Sequence, residues 1–226
     1  KIFDVIGYSS KRSCNQKLIE VWKEKFYIFN NTFLIEIIKR SLELLTKSED
    51  FTIKLEGLDR ERNYIEGTYI TFTDEEINLC KKILEKLNIP SDKKWVCIHN
   101  RDDQYLNTKF KIGNLVNKKQ SIRNFDVNDL IDCSVMLSKQ GYYVIRVGSI
   151  QKSVFKTNDE KIIDYSYSNY KSDLLDIFLL SNCYFYLGSD SGIANVSVIS
   201  NKYIGFINQT SYANFSFFVR NRITIY

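Results

Sequence analysis

The chain is expected to fold around one stretch, Lys94-Trp95-Val96-Cys97-Ile98-His99-Asn100-Arg101-Asp102-Asp103-Gln104-Tyr105. It opens with a short apolar run and continues with the only histidine of the chain, an arginine and two acids. An apolar run of this length followed by polar residues is typical of a buried strand that opens onto a loop. Because ligands of open α/β sheets bind where the strands end, we expect a binding site here. The alternative is that His99 caps a strand and Arg101 pairs with a surface acid.

Strands and helices are predicted to alternate after this strand. A polar loop at residues 107–124 is followed by a helix from Asp126 to Gly141, and further helices are expected at 172–180 and 191–200. Strands are expected at residues 142–148, 162–165, 184–188 and 203–207. Alternation with short connections indicates a parallel sheet covered by helices. The predicted fold class is therefore α/β, with a Rossmann-like sheet.

A domain boundary is predicted just before the opening strand. Thr73-Asp74-Glu75-Glu76 is a capping box, in which the Thr73 hydroxyl and the Glu76 carboxylate satisfy each other's backbone N–H groups at a helix start. The only proline of the chain, Pro90, follows this helix. Residues 1–90, with a strand at 3–8 and a helix at 15–29, are expected to form a small or partial N-terminal α/β domain. Residues 91–226 would form the domain with the sheet.

Composition restricts the class of protein. With 226 residues and 44% hydrophobic content, the chain has ample material for a packed core. No apolar run approaches the roughly 20 residues that span a bilayer. The net charge of +5 is spread along the chain, which does not indicate nucleic acid as a partner. It fits a small anionic ligand or an anionic membrane surface, and a solvated lysine-rich surface explains it equally well.

The cysteines and the chain ends give two further expectations. Five cysteines, widely spaced and odd in number, indicate neither a disulfide framework nor a zinc site, so a reducing compartment is expected. The sequence starts without methionine and closes on a strand-like pattern at residues 222–226. We expect that one or both ends have been trimmed from a longer protein.

Three polar clusters follow predicted strands, at residues 99–103, 146–149 and 188–192. The Gly-Ser turn of the third cluster presents backbone N–H groups before a predicted helix, which suits a phosphate. Asp190 either accepts from sugar or ribose hydroxyls or caps its own helix. Arg101 and Arg146 end different strands and can face one crevice, and Arg123 with Asn124 can extend it. Such guanidinium groups match a pyrophosphate, although each arginine alone fits an ordinary salt bridge.

Other chemistries have less support in the sequence. The chain has no Gly-x-Gly-x-x-Gly fingerprint, no phosphate-binding loop with its lysine and no Gly-x-Ser-x-Gly elbow. Asp102 and Asp103 are adjacent, so on an extended chain their side chains point in opposite directions, which disfavours a shared metal. For nucleotide-sugar chemistry, stabilisation by arginines and amides without a metal or other cofactor is the simplest mechanism.

At these residues the sequence resembles bacterial glycosyltransferases of surface-polysaccharide loci, those of O-antigen and capsule. The resemblance is carried by residues 72–76, 95–106, 121–125, 141–148, 172–176 and 188–192, in that order and over more than half the chain. More remotely, His99-x-Arg101 is similar to the His-x-Arg strand end of GT-B fucosyltransferases. Those enzymes often continue with a second arginine and an acid, whereas Asp102 and Gln104 stand here. The choice between a GDP-linked and a UDP-linked donor therefore stays open.

The resemblance implies a GT-B enzyme that transfers a sugar from a nucleotide-diphosphate donor to a bacterial surface glycan, with residues 91–226 as donor domain and residues 1–90 on the acceptor side. It implies a role for Arg101 at the leaving diphosphate, and we expect Asp103 to be the general base. From the three strand-end clusters and the Arg123-Asn124 pair, we expect the donor to be bound by His99, Arg123, Asn124, Arg146, Gly148, Ser189, Asp190, Ser191 and Gly192. A cytoplasmic location is expected, with a glycan or lipid-linked glycan as acceptor and a peripheral contact to the inner membrane left open. The alternatives are a non-catalytic nucleotide-sugar or glycan-binding protein, and a sugar-nucleotide epimerase or hydrolase.

Overall fold

The computed structural model describes residues 5–7, 15–24, 27–29, 31, 33–34, 36–37, 40–41, 70–110, 121–208 and 222–225. The chain divides into two compact units, Lys1–Tyr64 and Ile65–Tyr226. In the first unit, strands β1 (Val5–Gly7) and β2 (Tyr27–Phe29) pair in parallel, and helix α1 (Gln16–Lys23) lies between them in the chain. The predicted first strand is confirmed. The predicted helix at 15–29 is too long, because Tyr-Ile-Phe, which is aromatic and β-branched, forms β2 instead.

The second unit contains a six-stranded parallel sheet. Its strands are β3 (Trp95–His99), β4 (Tyr143–Arg146), β5 (Ile162–Ile163), β6 (Phe185–Gly188), β7 (Tyr203–Ile207) and β8 (Arg222–Ile225). They lie in the order β5-β4-β3-β6-β7-β8. Strands β4 and β5 are added in turn on one side of β3, and β6, β7 and β8 are added in turn on its other side. This is the strand order of the Rossmann fold. The predicted Rossmann-like α/β fold is confirmed.

Strand β3 is central, and all five of its residues are buried. On one face, Val96 and Ile98 join an apolar cluster with Val127, Leu130 and Leu137. On the other face, the Trp95 indole N–H donates to the carbonyl of Leu179 at 3.0 Å. Helix cover on both faces explains why the strand is a continuous apolar run without polar alternation.

Five helices are described in this unit: α2 (Asp74–Lys86), α3 (Gln104–Phe110), α4 (Ile131–Lys139), α5 (Asp173–Asn182) and α6 (Ala194–Ile199). The capping box of α2 is confirmed, since the Glu76 N–H donates to the Thr73 hydroxyl at 3.2 Å and the Thr73 N–H to the Glu76 carboxylate at 3.0 Å. Helix α2 packs on α5. The structural division, between Tyr64 and Ile65, therefore lies upstream of the predicted boundary at residue 90.

Two segments differ from the sequence prediction in ways that concern the site. Helix α3 occupies the start of the predicted polar loop, because the Asp102 carboxylate accepts the Gln104 N–H at 2.9 Å and starts a helix there. Residues 111–120 of that loop lie outside the described residues. Helix α6 starts at Ala194, so Ser191 and Gly192 belong to the turn before it.

Candidate functional site

The candidate site lies where the carboxyl ends of β3 and β6 meet. These neighbouring strands continue in opposite directions along the sheet, so their ends form the topological switch point at which α/β sheets bind ligands. Ser189 joins the two strand ends: its hydroxyl accepts the Arg101 N–H at 2.8 Å, and its own N–H donates to the His99 carbonyl at 3.1 Å. Ser189 is fully buried. Its side chain is therefore a structural contact that holds the two clusters together.

Gly188 makes this close approach possible. It lies opposite His99 in the β3–β6 register. A Cβ atom at Gly188 would lie 2.0 Å from the His99 carbonyl oxygen, which is backbone and cannot move aside independently of β3. A side chain at this position would push the two strand ends apart. The predicted Gly-Ser turn thus has a steric basis in the structure.

Arg101 and Arg123 come together at this junction. Nη1 of Arg101 donates to the Asn124 side-chain oxygen at 2.8 Å. Nη1 of Arg123 donates to the Asp190 carbonyl at 3.0 Å. Burial, and next the positive charge of Arg123, lower the pKa of Arg101 from its usual value, while Asp103 and Asp102 act in the opposite direction. The two guanidinium groups therefore repel one another at a partly desolvated place. An anion bound between them would relieve that repulsion.

The turn at residues 190–192 adds hydrogen-bond donors to the same place. None of the hydrogen bonds between described residues uses the backbone N–H groups of Asp190, Ser191 or Gly192. The Asp190 carboxylate likewise has no hydrogen bond within the described part of the chain. Three successive N–H donors beside two arginines are suited to phosphate oxygens. The helix that was predicted to start at Ser191 starts at Ala194, but the backbone N–H groups that were predicted to suit a phosphate remain in the turn before it.

Arg146 differs from its predicted role. The residue is 0% exposed, and each of its five N–H donors is used within the protein. Two donate to the Asn100 side-chain oxygen at 3.2 and 2.9 Å, and one each to Gln151 at 3.1 Å, Ser153 at 2.6 Å and Asp164 at 3.0 Å. The Asp164 side chain is only 10% exposed. Arg146 is thus the cation of a buried ion pair, and it presents no donor to a ligand in this structure.

Asn100 and Asp102 were not among the predicted site residues, although both stand in the opening stretch. Asn100 is 2% exposed; its oxygen accepts from Arg146, and its amide donates to the Phe125 carbonyl at 3.2 Å. The second Asp102 oxygen accepts the Lys152 N–H at 2.8 Å. These two side chains fix the loops after β3 and β4 around Arg101. The only signal in the sequence was their position between His99 and Asp103.

His99 is a neutral imidazole that links the ends of β3 and β4 by a hydrogen bond. Its Nδ1 lies 3.0 Å from the Val147 carbonyl, which can only accept, so Nδ1 carries the proton. Burial, with smaller contributions from the positive charges of Arg146 and Arg101, lowers the pKa of His99 to about 4, while the Val147 carbonyl and Asp102 act in the opposite direction. Proton transfer near neutral pH is not suited to such a group. His99 was predicted to bind the donor; in the structure its side chain is buried and its Nδ1 is used by the Val147 carbonyl.

Of the remaining predicted residues, Asp103 has a carboxylate oxygen available, whereas Gly148 and Gly192 matter for backbone conformation and space. One Asp103 carboxylate oxygen is buried without a hydrogen bond within the described residues, and Asp103 is close enough to Arg101 to influence its pKa. Gly148 has φ +146°, a conformation that L side chains rarely adopt, and serves the backbone turn after β4. A Cβ atom at Gly192 would meet nothing within 4 Å. Space is therefore open beside the turn that carries the unused N–H groups.

Among the described residues, no three His, Cys, Asp or Glu side chains are grouped so that they could hold a metal ion. Within the same part of the chain, every helix is too short or too polar to cross a bilayer.

No family model and no curated protein matches this chain. Among solved structures, it is similar to E. coli ADP-heptose LPS heptosyltransferase II, with 12% identity and a TM-score of 0.48, over 69% of this chain and 44% of that one. It is also similar to Thermosulfurimonas dismutans KpsC, a beta Kdo 2,7 transferase, with 12% identity and a TM-score of 0.30, over 99% of this chain and 83% of that one. The chain thus spans less than half the length of the heptosyltransferase. At this identity and these TM-scores, the likenesses assign neither a family nor an activity.

Proposed function

We propose that this chain is a glycosyltransferase that moves a sugar from a nucleoside-diphosphate donor to a glycan of a bacterial cell surface. The observation that carries the proposal is the convergence of Arg101, Arg123 and the unused N–H groups of residues 190–192 at the switch point of the sheet. Charge-assisted bidentate hydrogen bonds from arginine, together with backbone N–H groups, are well matched to a diphosphate.

In the proposed reaction, an acceptor hydroxyl attacks the anomeric carbon while the bond from that carbon to the diphosphate oxygen breaks. The bonding electrons leave with the diphosphate, so negative charge develops where Arg101, Arg123 and the N–H groups are directed. Fixed donors of this kind stabilise such charge without reorganising. The proposed mechanism therefore requires no metal and no cofactor.

The proton of the acceptor hydroxyl needs a base, and we assign that role to Asp103. Its buried oxygen without a hydrogen bond lies within the electrostatic reach of Arg101. A carboxylate held beside the diphosphate site is placed to take the proton as the new glycosidic bond forms. His99 stays neutral and is a structural neighbour of this step.

Donor sugar or ribose hydroxyls would be recognised by Asp190, whose carboxylate has no hydrogen bond within the described part of the chain. Arg146 takes no direct part in the proposed mechanism. It orients Asn100 and the loop at residues 149–153, and so positions the strand end that carries Arg101. The acceptor would be a glycan or a lipid-linked glycan on the cytoplasmic side of the inner membrane.

The test is a measurement of donor turnover. The chain is incubated with UDP-linked and GDP-linked sugars, with and without lipid-linked glycan acceptors, and released nucleoside diphosphate and glycan product are quantified. Release that depends on the acceptor and equals product formation supports the transferase. Donor consumption without acceptor would indicate a hydrolase or epimerase instead. Thermal stabilisation by a donor that is never turned over across the panel would indicate a binding protein.

A further inference from the structure

The edge of the sheet opposite the candidate site carries a group of tyrosines and lysines. Four segments, at residues 91–94, 140–142, 182–184 and 201–203, lie at the starts of β3, β4, β6 and β7, and Tyr203 is the first residue of β7. Together they contain three tyrosines and three lysines, which we call the amino-edge patch: Lys93, Lys94, Tyr142, Tyr184, Lys202 and Tyr203. Strands of four or five residues separate the patch from the candidate site by roughly 15 Å. The two surfaces can therefore be occupied at the same time.

The tyrosines of the patch contact one another. The Tyr142 and Tyr184 rings are stacked, with centroids 5.3 Å apart, and the Tyr203 ring lies 6.3 Å from that of Tyr184. Lys94 Nζ lies 4.7 Å from the centroid of the Tyr184 ring. Tyr184 is nevertheless 41% exposed and Tyr203 56% exposed. The Tyr142 and Tyr184 rings cover each other's stacked faces, so these faces are not open to a nucleobase or a sugar, which bind aromatic side chains by stacking.

The patch is also positively charged. The only acid in the four segments is Asp92, which pairs with Lys93 at 3.1 Å. No ion pair among the described residues uses Lys94 or Lys202. An open cavity of about 380 Å³ lies between these lysines and the tyrosines, and no acidic residue lines it. The surface is therefore complementary to a negatively charged partner.

We propose that the amino-edge patch docks the second unit on an anionic lipid bilayer. Tyrosine side chains are favoured at the membrane–water interface, where the ring meets apolar chains and the hydroxyl meets water. Lysines next to them are attracted by anionic headgroups. A bilayer, unlike a stacked sugar or base, needs only ring edges and phenol groups. The proposal is independent of the activity proposed above.

The test is sedimentation of the whole chain with vesicles. Binding is measured with two kinds of vesicle. One contains phosphatidylcholine with about 30% phosphatidylglycerol, and the other contains phosphatidylcholine alone. The test variants are Lys94→Gln with Lys202→Gln, and Tyr184→Ser with Tyr203→Ser. The matched control is Lys81→Gln with Lys82→Gln, which removes the same charge from exposed positions of α2. Thermal unfolding of each variant checks that it is folded.

We expect binding to the anionic vesicles that decreases with salt, and little binding to pure phosphatidylcholine. The lysine double variant is expected to bind on the order of 30-fold more weakly, and the control like the wild type. The tyrosine double variant should also bind more weakly at unchanged charge. Equal loss in the control and the test variants, or no binding to anionic vesicles at low salt, would overturn the proposal.

Discussion

Arg146→Met removes the cation from the buried network between the ends of β3 and β4. In the wild type, Arg146 is fully buried and supplies five hydrogen bonds, including the ion pair with Asp164. The variant leaves the Asp164 charge and the Asn100 oxygen buried without this partner. Breaking a buried ion pair by removing one member costs about 3–5 kcal/mol. Since a domain has about 5–15 kcal/mol of stability, this is a large fraction of the free energy of unfolding.

The assay is urea unfolding in a Trp22→Phe background, so that buried Trp95 in β3 is the only tryptophan and reports on the second unit. With an m-value of roughly 2 kcal/mol/M, the midpoint should fall by about 2 M. Arg146→Met combined with Asp164→Asn removes both charges and should recover much of the loss. A single variant that costs less than about 1 kcal/mol would refute the role assigned to Arg146. So would a double variant that is no more stable than the single one.

Three other predictions follow from the strand junction. Gly188→Ala places a Cβ against the His99 carbonyl and should lower the free energy of unfolding in urea by about 1–3 kcal/mol. Gly192→Ala, where space is open, is the control and should be close to neutral. Equal effects of the two variants would contradict the steric argument. Ser189→Ala leaves the buried N–H of Arg101 without its acceptor and should cost about 1–3 kcal/mol, and an unchanged midpoint would count against this contact. The single imidazole should titrate by NMR with a pKa of about 4. Because this pKa is below that of the unfolded chain, His99 contributes stability at neutral pH that is lost as the pH falls from about 6.5 to 4, and a normal titration near 6.5 would disprove its burial.

Local patterns made much of the fold predictable. The capping box at Thr73 and the apolar run of β3 are specified by residues close together in the chain, so sequence alone identified them. The strand–helix alternation then predicted a parallel sheet. Whether a compact unit includes α2 depends on its packing against α5, which lies about 100 residues later, and no local pattern contains that information. The boundary predicted at Pro90 rests on a local pattern alone.

The site was predictable to a smaller extent. The pattern placed arginines at strand ends but did not distinguish an arginine that faces solvent from one that is buried. Arg146 is buried because Asn100 and Asp164 converge on it from other elements, and these contacts span 46 and 18 residues of sequence. Arg123, in contrast, comes to the switch point through a backbone contact with Asp190. Partners that are distant in the chain therefore decide which predicted residue can meet a ligand.

Calorimetric titration of UDP and GDP, each against the corresponding monophosphate, tests the proposed diphosphate site most directly. The variants are Arg101→Ala and Arg123→Ala, with Lys156→Ala, an exposed position, as the matched control. A diphosphate should bind more tightly than its monophosphate, and each arginine variant should bind it roughly 10-fold to 100-fold more weakly, as expected for the loss of hydrogen bonds to a charged group. The control should bind like the wild type. Unchanged diphosphate affinity in a folded Arg101→Ala protein would contradict the proposed site.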